Sequence, residues 1–201
     1  MTPLQEIEKD LDWREAELAV LKILIVNEQL SDREKSVLYR ASWTILYAHY
    51  EGFCKLALTV YYDAIQRSQK CHSELPAGMQ ALALDQQIKV LRTLPTIDLI
   101  SQISTFEADF MDKTANFPEV NTDSNLWPST LRTLLESAAI TLPSLDANYR
   151  SIATLVSRRN KIAHGERDII PEYSYYVQFE DAVRSIMYDL AISIDEKLKA
   201  F

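Results

Sequence analysis

The sequence of residues 31–69 is SDREKSVLYRASWTILYAHYEGFCKLALTVYYDAIQRSQ. Ser31 and Glu34 have the spacing of a capping box, in which each side chain accepts a hydrogen bond from the other residue's backbone amide. Apolar residues then recur every three or four positions from Leu38 to Ile65. This pattern predicts a helix over 32–69, about 55 Å long at 1.5 Å per residue. We expect the end of so long a helix to fray or to project.

Helical patterns also flank this segment. Apolar stripes predict helices over 4–28, 147–163 and 172–199. Asp146 is in position to cap the second of these helices, and Gly165 is a natural residue to end it.

The sequence of residues 70–140 is less regular. It contains shorter helical patterns over 78–92 and 127–139, and a polar loop over 116–125. The segment 97–111 is compatible with either a helix or irregular structure.

Composition fits the same fold class. The chain has 201 residues, of which 47% are apolar and only 3 are glycine. A chain so poor in turn residues favours helices with few connections. We predict one all-α domain over 1–201, an up-and-down bundle of four to five helices with a small helical insertion at about 70–140.

The charge and the cysteines exclude several classes of protein. A net charge of -8 argues against a protein that coats nucleic acid by broad electrostatic attraction. Cys54 and Cys71 form no metal-binding or disulfide pattern, so we expect no metal and no cofactor. The acidic start of the chain is unlike a secretory signal, and the apolar run 18–26 is too short to span a bilayer. These features predict a cytoplasmic protein without a membrane partner.

The densest cluster of reactive side chains is RRNKIAHG at 158–165. An arginine binds phosphate through paired hydrogen bonds, and a histidine exchanges protons near neutral pH. Arg159 and His164 are five residues apart, about 140° around a regular helix, so one helix does not aim both at the same phosphate. Either the helix ends early enough to turn His164 back, or two chains pair so that their motifs converge.

These residue types suit metal-independent cleavage of RNA. His164 is the candidate general acid or base, Arg159 the group that stabilises the phosphate, and Asn160 a residue that orients His164 or donates to a phosphate oxygen. Other basic residues of the cluster are candidate substrate-binding groups: Arg158, Lys161 and Arg167. A purely structural interpretation is also open, in which the motif caps carbonyls at a helix end. Glu51 is either the partner of a buried cation or a residue that supports the site by contacting the side chains of the motif.

Three blocks of the sequence resemble the HEPN-domain proteins, in particular the MAE_28990/MAE_18760-like branch. The first is RNKIAHG at 159–165, which is similar to the family's signature of an arginine, a polar residue, a short spacer and a histidine. The second is YAHYEGF at 47–53, and the third is NTDSNL at 121–126. Together the blocks extend over about residues 31–200.

The resemblance implies a HEPN-type helical bundle that forms a homodimer and acts as a metal-independent endoribonuclease. It places Arg159 and His164 at the catalytic pair, with Asn160 as the polar neighbour. Many such proteins are toxins or defence effectors, so RNA and an antitoxin or neighbouring-gene protein are the expected partners. Two alternatives remain open: a non-catalytic interaction module, and a regulatory subunit of a conflict system.

Overall fold

A computed structural model describes residues 1–27 and 29–200. Its described part contains these α-helices: α1 Pro3–Ile25, α2 Asp32–Arg67, α3 Ala77–Ala83, α4 Asp85–Leu91, α5 Thr96–Phe106, α6 Pro128–Ser137, α7 Pro143–Ala163 and α8 Tyr173–Lys199. Helices α1, α2, α7 and α8 form a bundle, in which α2 contacts each of the other three. Apart from one isolated bridge between Cys71 and Thr114, the described residues form no β-structure. The all-α prediction is confirmed.

Helix α2 is the central helix of the bundle. It begins with the predicted capping box: the Ser31 hydroxyl accepts a hydrogen bond from the Glu34 amide, and the Glu34 carboxylate accepts one from the Ser31 amide. Trp43, Phe53 and other large side chains along it are fully buried. The C-terminal end of α2 does not project, since Ile65, two residues before the last residue of the helix, is only 2% exposed. At the other end, none of residues 32–41 is buried. Contacts with three helices bury α2 along most of its length.

The segment between α2 and α7 forms a smaller helical layer. The predicted helix over 78–92 is in fact two helices, because the backbone at the buried Leu84 leaves helical values at φ -98° and ψ 2°. Helix α3 packs on α6, and α6 packs on α7, which joins the layer to the bundle. Residues 97–111 are helical, with a π-helical turn over Glu107–Met111. Helix α5 buries none of its residues.

The start of α7 differs from the prediction. Asp146 is not its cap: the helix begins three residues earlier at Pro143, which suits a first position because it has no amide proton to satisfy. The next amide, of Ser144, donates to Oδ2 of Asp189 on α8 at 3.1 Å. Asp146 instead pairs with Arg132 on α6. A carboxylate from another helix thus caps α7.

A polar cluster is buried between α1 and α2. The Arg14 guanidinium donates to Asp10 through Nε at 2.6 Å and to the backbone oxygen of His49 through Nη1 at 3.3 Å. Nε2 of His49 lies 2.9 Å from a carboxylate oxygen of Glu17, and the Trp13 ring packs against the imidazole. Burial and, next, the Arg14 charge lower the pKa of His49. The imidazole is therefore more readily neutral in the folded protein than in a free peptide.

The described helices differ from membrane-spanning ones. None of them combines the length and the apolar character that crossing a bilayer requires. Their buried apolar side chains instead form one cluster that extends through the bundle and the smaller layer.

Candidate functional site

The candidate site lies at the end of α7. The helix ends at Ala163, and His164 follows as its C-cap residue. Gly165 has φ +80°, and its amide donates to the oxygen of Ile162, while the Glu166 amide donates to the oxygen of Lys161. These two hydrogen bonds define a Schellman motif, which requires a left-handed residue after the cap. The predicted stop at Gly165 is confirmed.

The guanidinium of Arg159 is enclosed by side chains from α2, α7 and the loop before α6. Nη1 donates to Oδ1 of Asn125 at 2.9 Å and to Oδ1 of Asn160 at 2.8 Å. Cζ lies 3.7 Å from the centre of the Tyr47 ring, within the range of a cation–π interaction. Nη2 lies 3.6 Å from a carboxylate oxygen of Glu51. These four neighbours hold the guanidinium in one place.

Tyr47 is neutral under Arg159. Burial raises the pKa of Tyr47 to about 12, although its hydroxyl accepts a hydrogen bond from the Leu126 amide at 2.9 Å, which acts in the opposite direction. The nearby Glu51 carboxylate raises this pKa as well. The ring therefore presents a neutral π face to the guanidinium, and its hydroxyl anchors the loop that carries Asn125.

Arg158 has a different set of neighbours. Its guanidinium lies over the rings of Tyr175 and Trp43, with Cζ 4.9 Å and 5.5 Å from their centres. Nη1 donates to the backbone oxygen of Ile169 at 3.2 Å and lies 3.8 Å from Asp168. The carbonyl that Arg158 binds belongs to the segment after α7, so Arg158 ties this segment to the helix and does not cap the helix's own carbonyls.

His164, Lys161 and Arg167 are exposed at the end of α7. Within the described residues, the His164 imidazole has no hydrogen bond and no ion pair. The chain that follows is tied to α2, because Nη2 of Arg40 donates to the backbone oxygen of Glu166 at 3.0 Å. The end of the helix is therefore fixed, whereas the side chain of His164 is free to meet a substrate.

The structure brings together three of the predicted site residues: Arg159, Asn160 and Glu51. The ion pair of Glu51 with Arg159 fits both interpretations of Glu51, because Arg159 belongs to the motif and is itself a partly buried cation. Within the described chain, His164, Lys161 and Arg167 form no hydrogen bond, ion pair or aromatic contact with this group. A fixed guanidinium can hold a phosphate, and an exposed imidazole can exchange a proton with a bound molecule.

Two contacts of Arg159 were missed by the sequence analysis of individual residues. Tyr47 precedes Glu51 by four positions, so the two lie on the same face of α2, and this spacing is a usable signal. Asn125 lies 34 residues before Arg159, in a loop, and no local pattern identifies it.

The described residues include no group of three or more histidine, cysteine, aspartate or glutamate side chains that could hold a metal ion.

Comparison with known proteins identifies the family. Neither the curated proteins nor the solved structures include a significant match to this chain. The family model of the MAE_28990/-like HEPN domain, however, matches residues 3–201, which confirms the resemblance seen in the sequence blocks. With nearly the whole chain matched, and with an all-α bundle as its fold, this protein belongs to the MAE_28990/-like HEPN family.

Proposed function

We propose that this protein is a metal-independent endoribonuclease that cuts single-stranded RNA at the end of α7. The observation that carries the proposal is the contrast within one motif: the Arg159 guanidinium is held by four side chains, while the His164 imidazole is exposed and unpaired within the described chain. A fixed cation suits a phosphate, and a free imidazole suits proton transfer. Membership of the HEPN family supports a nuclease-like activity.

The proposed reaction is an internal transesterification. A ribose 2′-oxygen attacks the adjacent phosphorus and gives its proton to a histidine, and the bond from phosphorus to the 5′-oxygen breaks. The departing 5′-oxygen takes a proton from an acid, which leaves a 2′,3′-cyclic phosphate and a 5′-hydroxyl. Arg159 stabilises the charge on the non-bridging oxygens. Single-stranded RNA permits the in-line geometry that this attack requires.

We further propose that the active form is a homodimer. The reaction uses both a base and an acid, and each motif has one histidine. Two chains related by a two-fold axis would place each motif beside its copy and supply two imidazoles to one cleft. Pairing would also allow an arginine and a histidine to face the same phosphate, although Arg159 and His164 of one chain are separated by about 140° around the helix.

A second candidate function, a helical interaction module, is favoured by α5. Ile97, Ile100 and Ile103 recur on one side of this helix and are 80%, 63% and 61% exposed. An exposed apolar stripe is typical of a surface that binds another protein. This function does not depend on His164, so the two candidates are separated by one substitution.

The test is cleavage of an end-labelled single-stranded RNA by the purified protein in the presence of EDTA. We expect cutting by the wild type, products that end in a 2′,3′-cyclic phosphate, and no cutting where one 2′-hydroxyl is replaced by hydrogen. His164→Ala and Arg159→Ala are each expected to slow cleavage by about 100-fold or more.

Arg67→Met is the matched control, because Arg67 is an exposed arginine at the end of α2 that pairs with Asp63 of its own helix and is not a candidate site residue. Loss of wild-type cleavage on chelation, or cutting of the deoxy-substituted strand, contradicts the mechanism. Wild-type protein that leaves RNA intact favours the interaction module.

We propose that the nuclease is a toxin or a defence effector restrained by an antitoxin or neighbouring-gene protein. Expression of the wild-type chain alone is then expected to stop growth, and His164→Ala to relieve the arrest. Growth arrest that persists in the His164→Ala strain contradicts a toxic role for cleavage.

A further inference from the structure

The hydrogen bonds of Arg159 leave one edge of its guanidinium open. Nη1 carries two N–H groups, and the oxygens of Asn125 and Asn160 accept from this nitrogen at 2.9 Å and 2.8 Å. Among the described residues, none accepts a hydrogen bond from Nε or Nη2, since the Glu51 oxygen at 3.6 Å from Nη2 is beyond hydrogen-bond range. The N–H groups of Nε and Nη2 point in the same direction, which is the arrangement that binds two phosphate oxygens at once.

The loop that brings Asn125 to Arg159 is held in a specific shape. Asp123 and Ser124 have φ of 52° and 65°, a left-handed conformation that residues other than glycine adopt at a cost. The side chain of Asn121 accepts a hydrogen bond from the Asp123 amide at 3.0 Å, which stabilises the turn. The next residue after Asn125 is anchored by its amide to the buried Tyr47 hydroxyl. The loop is therefore secured on both sides of the residue that contacts Arg159.

We propose that Asn125 is a positioning residue that acts through Arg159. With Asn160 it occupies Nη1 and so turns the Nε–Nη2 edge toward a phosphodiester of the RNA. This inference rests on the proposed function for the identity of the ligand. A neutral amide suits the role, because its oxygen accepts a hydrogen bond without adding a second negative charge that would compete with the phosphate.

The test measures RNA binding rather than cleavage, in a His164→Ala background and at fixed ionic strength, with a fluorescein-labelled single-stranded RNA. We expect Asn125→Ala to weaken binding by about tenfold, the effect of losing one hydrogen bond to a charged group. When Arg159→Ala is also present, adding Asn125→Ala should change RNA binding by roughly twofold or less, because Asn125 then has no guanidinium to position.

Two further variants separate positioning from a structural role. Thr122→Ala truncates a side chain of the same loop that forms no hydrogen bond among the described residues, and we expect it to change binding by roughly twofold or less. Asn125→Asp keeps the acceptor oxygen and adds a negative charge beside Arg159, so we expect an unchanged or higher melting temperature together with weaker RNA binding. Unchanged RNA binding by Asn125→Asp contradicts the placement of a phosphate at Arg159.

The inference is overturned if Asn125→Ala binds RNA as tightly as the His164→Ala protein that carries it. It is also overturned if Asn125→Ala weakens RNA binding equally when Arg159 has been replaced, or if the His164→Ala protein binds no RNA. The proposed function is tested separately by cleavage with the wild-type chain. Wild-type protein that does not cut, combined with the expected binding pattern, refutes the nuclease and retains the positioning role. Normal cutting and binding by Asn125→Ala refutes the positioning role alone.

Discussion

Gly165 is the residue at which the end of α7 is most easily perturbed. Its φ of +80° lies in the left-handed region, and an added Cβ would meet nothing within 4 Å. The cost of Gly165→Ala is therefore conformational rather than steric. Left-handed backbone costs a residue with a Cβ about 1–2 kcal/mol. The alternative to that strain is to lose the two hydrogen bonds of the Schellman motif, which have a similar value.

The assay is thermal unfolding followed by circular dichroism, with the wild type measured in parallel. For a chain of this size, each kcal/mol corresponds to roughly 2–4 °C in melting temperature. Gly165→Ala is thus expected to lower the melting temperature by about 2–8 °C. Gly165→Asn is expected to lower it less, because asparagine tolerates the left-handed conformation better than alanine does.

Gly78 provides a contrasting control, because replacing it by alanine would cost stability through a steric clash. A Cβ there would lie 2.6 Å from the backbone oxygen of Glu136, so α3 and α6 would have to separate. We expect Gly78→Ala to be more destabilising than Gly165→Ala. The reasoning is refuted if Gly165→Ala melts with the wild type, or if asparagine at this position is as costly as alanine.

Two other predictions concern His49 and Arg158. Because the pKa of His49 is lowered from 6.5 in the folded state, its contribution to stability is present above that value and is lost as the pH falls. His49→Gln should therefore reduce the loss of unfolding free energy between about pH 7 and about pH 5, and an unchanged slope contradicts this. Arg158→Met should lower the free energy of unfolding by about 1–3 kcal/mol, because it removes the contacts with Asp168 and Ile169. Most of the cleavage activity should remain. A normal melting temperature together with lost RNA binding would instead support a substrate-binding role for Arg158.

The parts of the structure that could be predicted from the sequence depend on local interactions. The capping box at Ser31 and the stop at Gly165 each involve residues within a few positions of one another, so their spacing specifies them. The apolar stripes of α1, α2 and α8 likewise depend on the helical period. The roles of Arg159 and His164 came from a motif of six residues, and they remain predictions until cleavage is measured.

The parts that could not be predicted depend on contacts between distant segments. Asp189 caps α7 from another helix, which moves its start away from Asp146. Asn125 reaches Arg159 because a loop is anchored to Tyr47, and the position of that loop follows from tertiary packing. The different surroundings of Arg158 and Arg159 also result from tertiary contacts. Adjacent arginines look interchangeable in the sequence, but the helix turns them toward different neighbours.

Electrostatics explains why the surroundings of Arg159 matter for a chain with a net charge of -8. Such a chain does not attract RNA over long distances, so binding at this site has to come from short-range contacts. A mobile arginine would lose side-chain entropy when it bound a phosphate, whereas the guanidinium of Arg159 is already held by its neighbours. The Glu51 carboxylate, at 3.6 Å, balances its charge without forming a hydrogen bond. Together these contacts hold the Arg159 guanidinium in place and leave Nε and Nη2 without a hydrogen bond to the described residues.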